Sequence, residues 1–271
     1  MGYAIIEKEY LNPTVVRMVV EAPLVARRAQ PGQFVMLRVG EWGERIPLTI
    51  AGFDRVLGSI EIIFQVVGAT TAALAELPIG GAIDDFAGPL GVPSHLDGLK
   101  NVCVIGGGLG CAIAYPQARA LKEAGVAVTM IAGFRDENLV ILEKEMRSVS
   151  DEFILTLGKT LVTEPLKQML EDGKSFDAVI AVGPLIMMKF VCLTTKPYEV
   201  KTWVSMNPLM VDGTGMCGCC RVTVGGATKF ACVDGPDFDG HEVDFDEAMK
   251  RVNLYKDFEH KCFLEVGHGN D

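Results

Sequence analysis

Near Leu99 the hydrophobic pattern of the chain changes its period, and that change limits the folds open to it. Before it, apolar and polar residues alternate in short runs: Tyr3 to Tyr10, Thr14 to Glu21, Gln33 to Val39, Ile46 to Ile50 and Ile60 to Val67. Runs of period two broken by Gly and Pro are the pattern of strands, whose successive side chains point to opposite faces. Several such strands in succession predict a small antiparallel β-barrel. One helix-like stretch interrupts them, Thr70 to Glu76, opened by Gly68-Ala69-Thr70-Thr71. After Leu99, Asn101 to Ile105 reads as a buried strand, then come Gly106-Gly107-Gly108-Leu109-Gly110 and a helical segment from Cys111 to Ala124. Further strands are expected at Val126 to Ala132, Phe153 to Leu157 and Ala178 to Val182, with helices at Glu143 to Ser148 and Pro165 to Glu171. Strands alternating with helices predict a parallel α/β sheet. From Ser205 onward glycine, cysteine and acidic residues take over, in a tail too small to bury a core unaided. The expected organisation is a β-barrel over residues 1–97, an α/β domain over 98–204 and a small C-terminal lobe over 205–271.

Charge narrows the partners. Lys and Arg total 25 against 35 Asp and Glu, a formal net charge of −10. That argues against nucleic acid, which needs a basic face to displace counterions from phosphates. No apolar run approaches the roughly 20 residues that cross a bilayer. Met1 to Lys8 enters a strand pattern without the layout of a signal peptide. A cytoplasmic chain without a membrane span is expected.

Three glycine-containing loops carry candidate binding sites. Gly106 to Gly110 lies between a strand and a helix, where glycines let the backbone approach a diphosphate and the helix N-terminus offers unpaired N–H groups. The spacing is GGGxG, not the usual GxGxxG, and a plain tight turn is the alternative. No ribose-binding acid stands out at the end of the following strand, which runs Ile131-Ala132-Gly133-Phe134-Arg135-Asp136. Gly183-Pro184 adds a second loop at the same sheet edge. In the barrel half, Gly68-Ala69-Thr70-Thr71 is either a phosphate cradle or a helix start capped by Thr. Arg45-Ile46-Pro47-Leu48-Thr49 offers a guanidinium and a hydroxyl on an extended segment. A barrel, two Gly/Thr loops and a βαβ domain together point to a flavin plus a pyridine nucleotide.

Cysteines mark the tail. Of eight, four fall at Cys217, Cys219, Cys220 and Cys232, and with Asp212 they give Asp-x4-Cys-x2-Cys-x11-Cys. Plant-type [2Fe–2S] loops follow C-x4-C-x2-C…C, with glycines wrapping the chain around the cluster. Here Asp stands in the first ligand position, and a carboxylate oxygen can bind ferric iron. A zinc knuckle closed by His241, or buried free thiols, are the alternatives. Cys219 is surplus to the count. Cys103, Cys111 and Cys192 sit in apolar segments and read as core thiols, while Cys262 has no assigned partner. The four histidines form no spaced pair suited to acid–base catalysis.

These motifs occur in order over nearly the whole chain: Glu44 to Ile50, Gly106 to Gly110, Ala181 to Pro184, Met210 to Gly218 and Phe230 to Pro236. Together they resemble the small subunit of NADH-dependent reduced ferredoxin:NADP oxidoreductase, a family related to the electron-transfer subunit of dihydroorotate dehydrogenase. The resemblance implies an FAD barrel, an NAD(H) domain and a [2Fe–2S] cluster held by Asp212, Cys217, Cys220 and Cys232. It places Pro47, Leu48 and Thr49 at the flavin ring, Gly68, Thr70 and Thr71 at the FAD pyrophosphate, and Gly107, Gly108 and Gly110 at the nicotinamide nucleotide. It also implies a larger partner subunit with a second flavin and [4Fe–4S] clusters, where bifurcation takes place, or a bigger redox assembly such as a hydrogenase. Two departures stand out. Arg45 lies one residue further from Thr49 than the phosphate-binding Arg of the wider superfamily. Relatives also carry an Asp-Asp-Gly-Ser-type loop where Leu157 here runs almost straight into Gly158-Lys159-Thr160. A weakened NAD(H) site, or a relay subunit with a vestigial one, is the expectation that follows.

Overall fold

The computed structural model describes residues 2–254. His260, Cys262 and His268 lie outside the described residues.

The first part is a barrel-like sheet. Its elements are β1 (Tyr3–Asn12), β2 (Val15–Glu21), α1 (Pro23–Ala26), β3 (Phe34–Arg38), β4 (Arg45–Asp54), β5 (Ser59–Gln65), α2 (Ala69–Glu76), β6 (Ala82–Ile83) and β7 (Asp85–Leu90). The strand order is β6-β1-β2-β5-β4-β3-β7, with each pair antiparallel. Because β6 and β7 are separated by one residue, the segment Ala82 to Leu90 pairs with β1 at one end and β3 at the other. It nearly closes the sheet on itself. Val16, Met18 and Val20 of β2 point inward with Ile60, Ile62 and Phe64 of β5, all essentially inaccessible. A slip of one residue would turn those side chains out, so burial fixes the register. Val15 and Ile63, on the opposite face, are buried too, because that face packs against the next domain.

That domain contains β8 (Asn101–Gly107), α3 (Gly110–Glu123), β9 (Ala127–Phe134), α4 (Glu143–Ser148), β10 (Glu152–Leu157), α5 (Thr163–Glu171), β11 (Ala178–Val182), α6 (Leu185–Thr195) and β12 (Thr202–Ser205). The order β10-β9-β8-β11-β12 is parallel throughout and reverses direction of growth between β8 and β11. All five residues of β11 are buried, as expected for a strand with helices on both faces. α6 had no strong signature in the sequence because it is apolar nearly all round. Met188, Val191 and Cys192 face inward, whereas Ile186, Phe190 and Leu193 remain about half exposed.

The remaining described residues form a hairpin of β13 (Arg221–Val224) and β14 (Ala227–Phe230), then β15 (Asp237–Asp239) and α7 (Phe245–Val252). Gly225 and Gly226 both adopt positive φ, the requirement of a two-residue hairpin turn. β15 adds antiparallel to β12 and becomes the sixth strand of the α/β sheet. Asp244 caps α7 by accepting from the Glu247 amide at 2.9 Å.

The parts share cores. Val15, Ala51 and Ile63 of the barrel pack with Cys111, Ala112 and Ala114 of α3. Phe34 and Met36 of β3 pack with Met210, Cys220 and Cys232. At the same junction Asp237 is buried. It accepts from Ser94 Oγ at 2.6 Å and, more weakly, from Gln117 Nε2 at 3.4 Å. Its Oδ1 and Gln117 Oε1 have no partner among the described residues. Among those residues no helix is long and apolar enough to cross a membrane.

Candidate functional site

All five parallel strands end at one cleft. Gly107 closes β8, Phe134 β9, Val182 β11 and Ser205 β12, and Gly158 follows β10; each lines a cavity of about 770 Å³. Ligands of open α/β sheets bind at these carboxyl ends, where strand order switches, here between β8 and β11. The opposite wall comes from the barrel: Phe34, Pro47, Leu48, Thr49, Ile63 and Gln65. Pro47, Leu48 and Thr49 are thereby brought face to face with Gly107, Gly108 and Gly110, more than fifty residues later in the chain.

The glycine loop divides its work. A Cβ on Gly110 would lie 2.2 Å from the Val182 carbonyl oxygen, and one on Gly106 would lie 2.6 Å from Cys111 Cα. These two glycines let α3 sit directly on the sheet. Gly108 differs: its φ is +56° and a Cβ would meet nothing within 4 Å. It presents bare backbone to the cleft at the start of α3, while its own amide and those of Cys111 and Ala112 donate to the carbonyls of Gly133, Gly108 and Leu109 at 2.8, 3.1 and 3.0 Å.

Gly68, Thr70 and Thr71 do not line this cavity. They form the entry to α2, which starts four residues beyond the cleft-lining Gln65. Thr71 Oγ1 accepts from the Val67 and Gly68 amides at 3.0 and 3.1 Å and donates to the Gly68 carbonyl at 3.0 Å, so it holds its own helix entry in shape. Space in front of Gly68 is open, and no acidic residue occupies the first turn. Arg45, at the start of β4, is exposed and 3.7 Å from Asp85, which is already bound to Arg38 at 2.6 Å.

The cysteine loop arranges its candidate ligands as two pairs. Cys217 Sγ lies 3.3 Å from Asp212 Oδ1, and Cys220 Sγ lies 3.2 Å from Cys232 Sγ. The first pair is at the surface and the second is buried. Asp212 accepts from the amides of Thr214, Met216 and Cys217 at 3.0 to 3.1 Å. Those N–H groups, led by Thr214, hold its carboxyl down to about 2, so it is ionised at any working pH. Burial is the main cause that pushes the Cys232 thiol up to about 12. Among the described residues no three His, Cys, Asp or Glu side chains converge on one point. A zinc knuckle needs four ligands around a single ion, whereas a [2Fe–2S] cluster takes two on each of two irons. Pairwise grouping therefore fits the binuclear cluster. His241, the other candidate for zinc, has its Nε2 3.0 Å from Thr195 Oγ1.

The comparisons agree with this geometry. Residues 207–244 match the family model for the iron–sulfur cluster binding domain of dihydroorotate dehydrogenase B. An electron-transfer subunit homologue of dihydroorotate dehydrogenase B (NAD(+)) from Thermotoga maritima is 45% identical, over 94% of this chain and 92% of its own. The corresponding subunit from Shouchella clausii is 33% identical over 83% and 91%. The chain belongs to the family of dihydroorotate dehydrogenase B electron-transfer subunits. It is also similar in structure to NADH-dependent reduced ferredoxin–NADP oxidoreductase, solved in connection with flavin-based electron bifurcation. The TM-score is 0.90 at 42% identity, covering 97% of this chain and 98% of that one. The iron–sulfur domain match takes in the segment from Asp212 to Cys232, and the fold is that of the ferredoxin reductases.

Several cleft residues were not assigned a role from sequence, although Met210 and Pro236 stand at the ends of the cysteine-loop motifs. Met206, Asn207 and Met210 line it from the segment after β12, and Pro236 from the far side of the cluster loop. Met206 and Asn207 have no sequence signal beyond proximity to Asp212. Cys103, Cys111 and Cys192 are buried, and desolvation raises all three thiols, Cys111 and Cys192 to about 12, as expected of inert core residues.

Proposed function

We propose that this chain takes electrons from, or returns them to, a nicotinamide nucleotide and passes them through FAD and one [2Fe–2S] cluster to a larger redox partner. The observation that carries this reading is a shared apolar core between cleft and cluster loop. Phe34 and Met210 line the cleft and pack in one cluster with Cys220 and Cys232. Gly213 presses the loop against β3, where its added Cβ would fall 2.6 Å from Met36 Cγ.

Bound together, a flavin exchanges two electrons with a nicotinamide and an iron–sulfur cluster carries them one at a time. The chain's own residues supply position and environment. Pro47, Leu48 and Thr49 form the barrel wall against which a flavin ring lies, and the open first turn of α2 at Gly68, Thr70 and Thr71 suits its pyrophosphate. Arg45 is a further cation on the same strand as Pro47. Gly107, Gly108 and Gly110 bring the nucleotide to the sheet edge. Cys220 and Cys232 hold the buried side of the cluster, and Asp212 and Cys217 hold the side facing solvent, where a partner approaches. Apolar residues surround that outer side: Leu209, Val211, Met216 and Val233 are 53%, 50%, 89% and 44% exposed. The partner in this reading is a larger flavin and [4Fe–4S] subunit of the bifurcating type, or a bigger assembly such as a hydrogenase.

Native protein purified without oxygen tests the reading. Acid extraction should release FAD and not FMN, and the protein should contain two irons and two sulfides per chain. Stoichiometric zinc without sulfide, or the absence of flavin, would refute it. A second reading keeps the relay and drops the nucleotide. It is favoured by the tight connection after β10, where residues 158–162 join directly to α5. Failure of NADH and NADPH alike to bleach the flavin spectrum would support it.

A further inference from the structure

One buried acid has no part in the function derived so far. Asp237 is 8% exposed and Gln117 of α3 is inaccessible, and they meet where barrel, α/β sheet and tail join. Gln117 Nε2 donates to Asp237 Oδ2 at 3.4 Å, and Ser94 Oγ donates to the same oxygen at 2.6 Å. One oxygen on each side chain, Asp237 Oδ1 and Gln117 Oε1, is left buried without a partner among the described residues. Buried acceptors without a donor are costly. A single proton removes the cost at both. A carboxylic acid and a carboxamide pair as a ring, the N–H donating to one acid oxygen and the acid O–H to the amide oxygen. Gln117 already supplies the first of those bonds, and the two orphaned atoms are the acceptor and the acid oxygen of the second.

The place of this pair gives it a use. Asp237 follows the cleft-lining Pro236 and is register partner to the cleft-lining Ser205, so the two side chains leave the sheet on one face. Its carboxyl thus stands just behind the lining of the cleft. A negative charge there opposes electrons arriving in the cleft, and a neutral carboxyl does not. On the other side Ser94 is half-buried and His95 exposed, a short way out for a proton. His95 is the titratable group whose charge reaches the carboxyl; α3 presents the Gln117 amide and β12 the Ser205 hydroxyl, while Lys201 lies over the Trp203 ring. From this we infer that Asp237 couples a proton to electron entry: it takes one from solvent, shared with Gln117, when the cleft is reduced, and returns it on reoxidation. The inference rests on the reading above that a flavin occupies the cleft. A hydride brings two electrons and one proton to the cleft, and a second proton, from solvent, neutralises Asp237. When the two electrons have passed singly to the cluster, both protons return to solvent. Below the carboxyl's own titration range, which desolvation raises, the acid is already neutral and no second proton moves. Linkage is reciprocal, so the proton that reduction draws in also eases reduction.

Potentiometric titration of the flavin-loaded protein from about pH 6 to about pH 10 tests the coupling by potential, not by turnover. At the alkaline end the flavin midpoint potential of the parent should fall up to about twice as steeply with pH as that of Asp237→Asn, two protons per two electrons against one. Asn keeps a neutral ring with Gln117 and cannot titrate, so the two potentials should converge at the acid end. His95→Gln should retain the parental slope, which separates the carboxyl from the imidazole. Infrared spectra of the oxidised protein near pH 6 read the pair without a redox step. The band of a protonated carboxyl should be present in the parent, missing from Asp237→Asn and displaced in Gln117→Met. Equal slopes for parent and Asp237→Asn over the whole range, or no carboxyl band in the parent, would overturn the inference while leaving the flavin site intact. Native protein without flavin would instead overturn the reading on which it rests, and the coupling with it.

Discussion

The sequence offers Asp212, Cys217, Cys220 and Cys232 as a candidate ligand set, because the spacing of cluster ligands is local and glycine-dependent. What spacing could not give is their division into an outer and an inner pair, which depends on Cys220 and Cys232 meeting beneath the hairpin of β13 and β14. Cys232→Ser should abolish or strongly alter the paramagnetic signal of the reduced protein. Cys219→Ser should leave a cluster in place, and electron paramagnetic resonance on both variants separates the two. Asp237 was invisible to sequence reasoning, since a single acid in an acidic tail carries no pattern. Its burial among three parts of the molecule raises its carboxyl above the usual range, with desolvation the largest cause and the hydrogen bond from Ser94 opposing it. The folded protein then retains a proton that the unfolded chain has already released. Stability from this group is present below the unfolded pKa and is lost as pH rises through the raised folded value. Asp237→Asn should accordingly unfold at a higher temperature than the parent near pH 8, with the difference shrinking toward pH 4. Thermal unfolding followed by circular dichroism at both pH values checks it, and a variant less stable at pH 8 would contradict the argument.

At the scale of elements, strands and amphipathic helices were readable because burial imposes period two or 3.6 on their side chains. The limits of α4 and β11 fall at the residues expected, Glu143–Ser148 and Ala178–Val182. α6 escaped because Leu185 to Thr195 has too few polar residues to mark a face, and the short β6 and β7 because they pair only across the barrel seam. The strand-to-helix loop was readable as a motif but not in its division of labour. Gly110→Ala should fail on steric grounds: its new methyl would stand 2.2 Å from the Val182 carbonyl, and overpacking of this kind costs about 1–3 kcal/mol or more. Gly108→Ala meets open space and bears mainly the left-handed backbone penalty of about 1–2 kcal/mol. The first variant should lower the melting temperature sharply. The second should remain folded but bind nucleotide more weakly, because a methyl would stand between backbone and ligand. Urea unfolding paired with a nucleotide titration distinguishes them, and equal losses in both assays for Gly108→Ala would show that the loop has no ligand role.

Across the whole molecule, the three-part order of barrel, α/β sheet and cysteine-rich tail was legible from changes in pattern, whereas the way the parts interlock was not. The large cleft depends on Pro47 to Thr49 meeting the glycine loop, a contact made by packing of Val15, Ala51 and Ile63 on α3 that no local signal announces. Apolar side chains around the outer face of the cluster loop predict a permanent complex, burying more than about 1,000 Å² when formed. Gentle anaerobic purification followed by native mass measurement should find this chain bound to a larger subunit, and a fully active lone chain would count against that. The position of β15 has a further consequence. Ser205, where the chain leaves the sheet, is register partner to Asp237, where it returns. Residues 206–236 are thus an excursion whose two ends are stapled side by side, and hydrogen bonds of the sheet, not iron, close the loop. Stripping the metal should let the excursion exchange its amide protons freely while β12 and β15 stay protected, so that a damaged cluster could be rebuilt on a scaffold that never came apart.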